Sequence, residues 1–403
     1  MRQLPHVALL IETSRGYGRS LLQGVIRYQR EHRPWSIYFQ PHALGAPPPP
    51  WLKNWHGDGI LARIDDRTMA RAIRRAGLPA VDLRFSIPKL GLPSVGIDNR
   101  AVVRLAFEHL ANSGFKLFGF CGPPPRRNAW MDLRRDLFQQ LVRRAGHACH
   151  VFETAPRAAT AAWEDEQEQI AAWILGLPKP IGIMASNDDR GQQVLDACRR
   201  VNVLVPDEVA VIGVDNDEIL CNLSSPPLSS VDINTQQVGY EAAALLERMM
   251  AAAPAPQQSL LLAPHGVVSR EFTDVLATED RELAAAIRHI REHACEGLRL
   301  KDSALWTNLS RRELERRMRK LLGRSPKEEI TRVQLERGKR LLTETDLSAA
   351  VIAQKCGFGE PKYFNQVFHT KVGLPPGAYR RSMKQPAPSP GAQPGRNETV
   401  PMT

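Results

Sequence analysis

Short apolar runs rich in β-formers recur along the first 270 residues: His6–Ile11, Gly59–Ile64, Ala80–Phe85, Ser94–Ile97, Lys116–Cys121, Ile181–Ala185 and Val209–Val214. Between most of them apolar positions return every three or four residues, the spacing that keeps one face of a helix dry. Leu21, Leu22, Val25 and Ile26 mark one such face. Val102, Val103, Leu105, Ala106 and Leu110 mark a second, and Val194, Leu195 and Cys198 a third. Continuous apolar strands separated by helices predict right-handed βαβ units and parallel sheets covered on both faces. So long a stretch exceeds one ordinary sheet. The pattern therefore predicts two doubly wound α/β lobes over residues 1–270, with any ligand in the crevice beyond the carboxyl ends of the strands.

Those strand ends are polar. His6–Ile11 opens into Glu12 to Arg19, and Gly59–Ile64 ends at Asp65-Asp66. Ser94–Ile97 ends at Asp98-Asn99, Ile181–Ala185 at Ser186-Asn187-Asp188, and Val209–Val214 at Asp215-Asn216-Asp217. Carboxylates, amides and a few arginines suit vicinal hydroxyls, because together they donate and accept paired hydrogen bonds. Each residue alone also fits a helix cap. Their convergence from several strand ends is what points to a ligand.

Catalytic signatures are missing from this body: no GxGxxG, Walker loop, GxSxG or HExxH occurs, and the 11 histidines show no metal spacing. The 6 cysteines include no CxxC and form neither a disulfide framework nor a zinc cluster. The four-proline run Pro47–Pro50 reads as an exposed turn between helix and strand. The opening apolar segment is too short for a secretory leader, and no stretch has the roughly 18 apolar residues of a membrane helix. A cytoplasmic protein is expected, in which the Asn-x-Ser/Thr matches at Asn222, Asn308 and Asn397 carry no sugar.

The net charge of +11 is unevenly spread. Residues 284–382 hold 21 Lys+Arg against 11 Asp+Glu, and the rest of the chain is nearly neutral. A basic quarter on a neutral body suggests one module that meets a polyanion. Charge alone also fits a helical domain with a Lys/Arg-rich surface. A duplication within this quarter decides between the two. Ala304 precedes Asn308 by four residues and Ala353 precedes Gly357 by four, each pair marking a close helix crossing and a tight turn. A helix follows each, anchored by Leu314/Met318 or Phe364/Phe368, and each ends in Gly-x-x-Pro, at Gly323–Pro326 and Gly373–Pro376. The amphipathic stretch Glu329–Thr343 joins them. Two helix-turn-helix units, about 301–322 and about 349–372, are thus expected, spaced to enter successive major grooves.

Ile352-Ala353, Cys356-Gly357-Phe358, Tyr363-Phe364, Phe368, Gly373, Pro376 and Tyr379-Arg380 stand in the order of the AraC/XylS DNA-binding signature, and residues 284–382 resemble that family. The body resembles the lac repressor and periplasmic sugar-binding fold, through Gly57-Asp58-Gly59-Ile60, Ser186-Asn187-Asp188 and Ile212-Gly213-Val214-Asp215-Asn216. The AraC/XylS resemblance implies base-facing roles for Arg312, Glu315 and Arg316 in the first reader helix. Arginine reads guanine bidentately, whereas Glu315 either accepts from cytosine or orients Arg316. In the second reader helix the matching positions are Pro361, Lys362, Asn365 and Gln366. Pro361 suits a first helical turn but reads no base edge, so specificity falls to Asn365 and Gln366. Arg380 and Arg381 are expected on phosphate.

The sensor resemblance implies Asn187, Asp188 and Asp215 as hydroxyl partners and Arg134 as the cleft arginine. Trp130 is either a wall for the sugar's C–H face or packing. Tyr17, Arg19, Asp65 and Asp98 are further candidates. Together the resemblances imply a transcription activator responding to a pentose, foremost xylose, as a homodimer that works with RNA polymerase, without metal or cofactor. A linker over 271–283 and a disordered tail over 384–403 complete the expected organisation. The alternative is a sugar- or nucleoside-processing enzyme tethered to nucleic acid by its basic quarter.

Overall fold

Each of these apolar runs forms a strand, shortened at most by a few residues, because continuous burial on both faces is what a central parallel strand requires. In the computed structural model β1 (His6–Leu10), α1 (Gly16–Glu31), β2 (Ser36–Phe39), β3 (Gly59–Ala62), α2 (Arg67–Arg75) and β4 (Ala80–Asp82) build the first lobe. Its sheet has the order β2-β1-β3-β4, parallel throughout. The chain crosses through β5 (Val95–Ile97) into α3 (Asn99–Asn112), β6 (Leu117–Cys121), α4 (Ala129–Arg144), β7 (Ala148–Val151) and α5 (Trp163–Gly176). It continues with β8 (Ile181–Ala185), α6 (Asp188–Arg200), β9 (Val209–Val214), α7 (Glu218–Leu223) and β10 (Ser229–Asp232). Helix α8 (Thr235–Met250) returns to the first lobe, and β11 (Leu260–Leu262) and β12 (Gly266–Val268) follow. The second sheet reads β12-β10-β9-β8-β6-β7, with only β12 antiparallel, while β11 pairs with β5 between the lobes. The expectation of two doubly wound lobes holds.

Strands that escaped the sequence pattern are edge or hydroxyl-bearing ones. All four residues of β2 are exposed, and β10 opens with Ser229 and Ser230, whose hydroxyls are consumed by Arg270 and Asp188. Pro47–Pro50 lies between β2 and a 3-10 turn at Pro50–Asn54, not between a helix and a strand. Helices α1 and α8 approach backbone to backbone. A Cβ on Gly24 would lie 1.9 Å from the Gln236 carbonyl, and one on Gly239 2.0 Å from that of Leu21.

The basic quarter contains α9 (Arg281–His293), α10 (Arg311–Leu322), α11 (Pro326–Glu344), α12 (Ala349–Lys355), α13 (Pro361–Val372) and α14 (Pro376–Lys384). The second helix-turn-helix is as expected: Gly357 has φ +76, and Ile352, Cys356, Phe364, Phe368 and Tyr379 form its core. The first departs from expectation. Leu300–Leu305 winds as a 3-10 helix, and Asn308 is not left-handed. Ser310 instead starts α10 by accepting the Glu313 amide at 3.2 Å, so the turn needs no positive φ.

The structure describes residues 4–41, 45–85, 87, 90–125, 128–153, 163–251, 259–270, 280–298 and 300–384. Residues 271–279 of the expected linker, the tail beyond 384 and the side chain of Ala304 lie outside them. Two compact units result, 1–292 with 299–330, and 293–298 with 331–403. The first helix-turn-helix therefore packs with the sensor's unit, and the division runs through α11 instead of the 283/284 boundary. Among the described residues no helix is long and apolar enough to cross a membrane, and no metal-binding cluster is found.

Candidate functional site

The cleft begins with a turn that Asp82 makes. Its buried carboxylate accepts the amides of Ile64 at 3.3 Å, Arg84 at 3.1 Å and Phe85 at 2.9 Å. This bends the chain after β4, places Phe85 at φ +51 and leaves the Arg84 side chain buried. The Arg84 guanidinium lies 4.8 Å from the Tyr17 ring centroid and 4.2 Å from that of Trp130 on α4, in the other lobe. Arg134, one turn along α4, covers Trp130 at 4.6 Å. It donates to Asn99 Oδ1 at 2.8 Å and the Ser186 carbonyl at 2.7 Å, and stands 3.8 Å from Asp215. On the first-lobe side Glu12 holds Arg63, and Asp65 lies 3.2 Å from Arg63 and 3.3 Å from Arg84. Tyr17 donates to the Leu83 carbonyl at 3.1 Å.

Tyr17, Asp65, Trp130, Arg134 and Asp215, drawn from four separate segments, thus meet in one connected cluster. Asp188 lies beside them but is internally committed: it accepts from Ser230 Oγ at 2.6 Å and the Asp217 amide at 2.7 Å. Asn187 caps α6 through the Arg190 amide at 3.1 Å, and Asp98 caps α3 through the Arg100 amide at 2.9 Å. Arg19 sits at the rim, donating to the Thr13 carbonyl at 2.8 Å. Sequence reasoning missed Arg63, Arg84 and Asn99. For Arg84 the available signal was a lone cation interrupting the run Ala80–Phe85, read there as strand.

Of the cluster's buried polar atoms, Trp130 Nε1 has no partner in the protein, whereas Arg84 Nε faces Asp65 Oδ1 at 3.3 Å and Arg63 Nε faces Asp65 Oδ2 at 3.2 Å as ion pairs. Buried polar groups are satisfied in nearly all proteins, so the Trp130 indole N–H awaits a partner. The charges balance without surplus cation, with Arg63, Arg84 and Arg134 against Glu12, Asp65 and Asp215, and Asp188 beyond them. Burial raises the carboxyl pKa of Asp215, an effect that Arg134 and Arg84 oppose, and raises that of Asp188 further beside Asp215. Burial pulls Arg134 down to about 10. Contacts also cross the mouth of the cleft: Arg15 pairs with Asp189, and the Gly16 amide donates to Asp217 at 3.1 Å.

In α10 the residues Leu314, Met318 and Leu322 face inward, leaving Arg312 and Arg316 exposed. Glu313 accepts from Arg316 and Arg317, each at 2.7 Å, and these bonds hold its carboxyl down at about 2. Glu315 pairs with Arg319 at 3.2 Å and Arg316 with Glu313, so of the two roles considered for Glu315, orienting Arg316 falls to Glu313 instead. In α13, Phe364 and Phe368 are buried while Lys362, Asn365 and Gln366 are exposed, and Pro361 opens the helix. Arg380 donates to the carbonyls of Leu342, at 3.3 Å, and Leu347, whereas Arg381 is exposed.

Residues 6–90 match the model of a XylR N-terminal domain, 107–273 a periplasmic binding protein-like domain, and 304–382 a helix-turn-helix domain. The chain is 32% identical over 385 residues to the xylose operon regulatory protein of Escherichia coli (strain K12), covering 93% of this chain and 96% of that one. It is 28% identical over 380 residues to the protein of that name from Haemophilus influenzae, covering 93% and 97%. A solved structure of the xylose-binding transcription activator xylR aligns with a TM-score of 0.60 at 31% identity, over 94% of this chain and 98% of that one. These relatives are regulators, and nothing among them supports the enzyme alternative. The chain belongs to the family of the xylose operon regulatory proteins, DNA-binding transcription regulators that join a periplasmic-binding-protein-like sensor to an AraC/XylS-type reader.

Proposed function

We propose that the chain is a homodimeric activator, acting with RNA polymerase, whose effector is an uncharged pentose, D-xylose foremost, bound in the cleft. The observation carrying this reading is the cluster itself: the Trp130 face, its indole N–H unpartnered, lies beneath the Arg84 and Arg134 guanidiniums, which stand beside the carboxylates of Asp65 and Asp215. The carboxylates can accept from hydroxyls, the guanidiniums and the indole N–H can donate to them, and Trp130 offers a surface for a C–H face. The balanced charges disfavour phosphorylated or carboxylated ligands, which need surplus cation. The names of the relatives point to the same sugar. Asp215 and Arg134 complete the hydroxyl contacts, with Asn187, Asp188, Asp98, Tyr17 and Arg19 supporting them. In the reader Arg312, Arg316, Lys362, Asn365 and Gln366 face base edges and Arg381 faces phosphate, while Glu315 and Arg380 hold their neighbours in place.

Calorimetry of the full chain against D-xylose, L-arabinose, D-ribose, D-glucose and D-xylose 5-phosphate tests the effector. D-xylose should bind and the phosphate should not. Binding of the phosphate alone would overturn the reading.

A further inference from the structure

Helix α3 begins in the cleft and ends at the reader. In its first turn Asn99 accepts from Arg134, the residue that also meets Asp215. At its last turn the Asn112 carbonyl accepts from Arg324 at 2.7 Å and Arg291 at 3.2 Å, and Asn112 Oδ1 accepts from Arg324 at 3.0 Å. A helix C-terminus presents unbonded carbonyls and partial negative charge, so two guanidiniums are suited to it. Arg291 lies in α9, and Arg324 directly follows Gly323, the C-cap of α10. Glu329, in the first turn of α11 and 0% exposed, accepts from Arg291 at 2.8 Å and also from Arg324. Beside this joint Gly114, at φ +93, lies against Leu321 and Leu322 of α10, where an added Cβ would stand 3.4 Å from Leu321 Cδ1. All of these residues fall within one compact unit.

We propose that α3 is the transmission element of the regulator, and that Arg291, Arg324 and Glu329 are positioning residues tying the first reader helix to it. The proposal rests on the reading of the cleft as the effector site. A helix of 14 residues spans about 21 Å and does not shorten, so a displacement of Asn99 with Arg134 reappears at Asn112. The joint is buried and ionic, and a bidentate guanidinium holds only one geometry. Small movements of α3 therefore carry α10 along instead of being absorbed.

The test uses the full chain, D-xylose, and a duplex that the wild-type protein selects from a random pool. Arg324→Gln and the conservative Arg324→Lys are compared with wild type for sugar affinity, sugar-free DNA affinity and the ratio of DNA affinities with and without sugar. Couplings between sites commonly reach about 5- to 150-fold. Sugar affinity and sugar-free DNA affinity should change by less than about threefold. The ratio should fall to below about a third of its wild-type value in Arg324→Gln, and by less in Arg324→Lys. Hydrogen exchange of the wild-type chain gives a readout that needs no variant: the amides of residues 110–115 should change protection when sugar is added. An unchanged ratio in a folded variant, or unchanged exchange at 110–115 while sugar binds, would overturn the relay alone. A wild-type protein that binds no D-xylose would overturn the effector reading and the relay with it.

Discussion

At residue scale the cleft depends on two aspartates that do different work. Asp215 has φ 109 and its neighbour Asn216 φ 51, a pair of left-handed residues directly after β9. Such strain persists only where packing enforces it, and here it points a carboxylate toward Arg134. Asp215→Asn keeps size and backbone tolerance but removes the charge. A hydrogen bond to a charged group is worth about 1.5–3 kcal/mol, so sugar affinity should fall by about tenfold to a hundredfold or somewhat more. DNA affinity without sugar should be unchanged; equal sugar affinities for variant and wild type would remove Asp215 from the site. Asp82 acts on the backbone. Burial pushes its carboxyl from 3.8 up to about 6, so the folded chain holds this proton more tightly than the unfolded one. The stability it contributes is complete below about pH 4 and is lost as pH rises through about 6. The difference amounts to about 3 kcal/mol. Asp188 and Asp215 are raised too and act in the same sense. Asp82→Asn should therefore gain stability relative to wild type between pH 4 and 7, read from denaturant unfolding at each pH. Parallel profiles would refute the assignment.

At the scale of elements, each reader helix buries one face and offers the other. Inward Leu314, Met318 and Leu322 fix the rotation of α10, so Arg312 and Arg316 point out. Glu313 then orients Arg316 across one helical turn. Arg316→Ala should weaken binding to the selected duplex and relax preference at one or two base positions, by about 1–3 kcal/mol in discrimination. Arg381→Ala should lower affinity for all sequences alike and flatten the salt dependence. Competition among single-base operator variants separates the two effects. If neither substitution changed the ranking of the variants, the orientation of α10 on DNA would be wrong. Arg380 differs from Arg381 because the Leu342 and Leu347 carbonyls already occupy it.

At the scale of the molecule, closure of the lobes has its own contacts. Arg15 follows β1 in one lobe and Asp189 lies in the first turn of α6 in the other, so their ion pair spans the mouth. Both side chains are 40% exposed, and such pairs contribute about 0–1 kcal/mol. Arg15→Ala should therefore speed sugar dissociation by no more than about fivefold while association is nearly unchanged. At about 0.5 M salt, where an exposed pair is screened, wild type and variant should converge. Stopped-flow kinetics reading intrinsic tryptophan fluorescence follow both rates, and identical dissociation at low salt would show that the pair does not hold the mouth.

The order of elements, the two lobes, the duplicated reader and most strand-end polar residues were legible in the sequence, because hydrophobic period and turn residues are local. Strands that are exposed along their length, as β2 is, or open with serines, as β10 does, were not, since their apolar signal is diluted. Whether a strand-end residue caps a helix or meets ligand was decided only by tertiary structure: Asn187 and Asp98 cap, while Asp65 and Asp215 join the cluster. The same holds for Arg84, which reaches Trp130 only because Asp82 turns the chain. Nor does any local pattern announce that Arg324 meets Asn112 across 212 residues of sequence. The sequence by itself determined which modules form and what chemistry they carry. Which polar groups meet, and through which helix the modules are joined, rested on long-range packing, where burial forces each charge to find its partner.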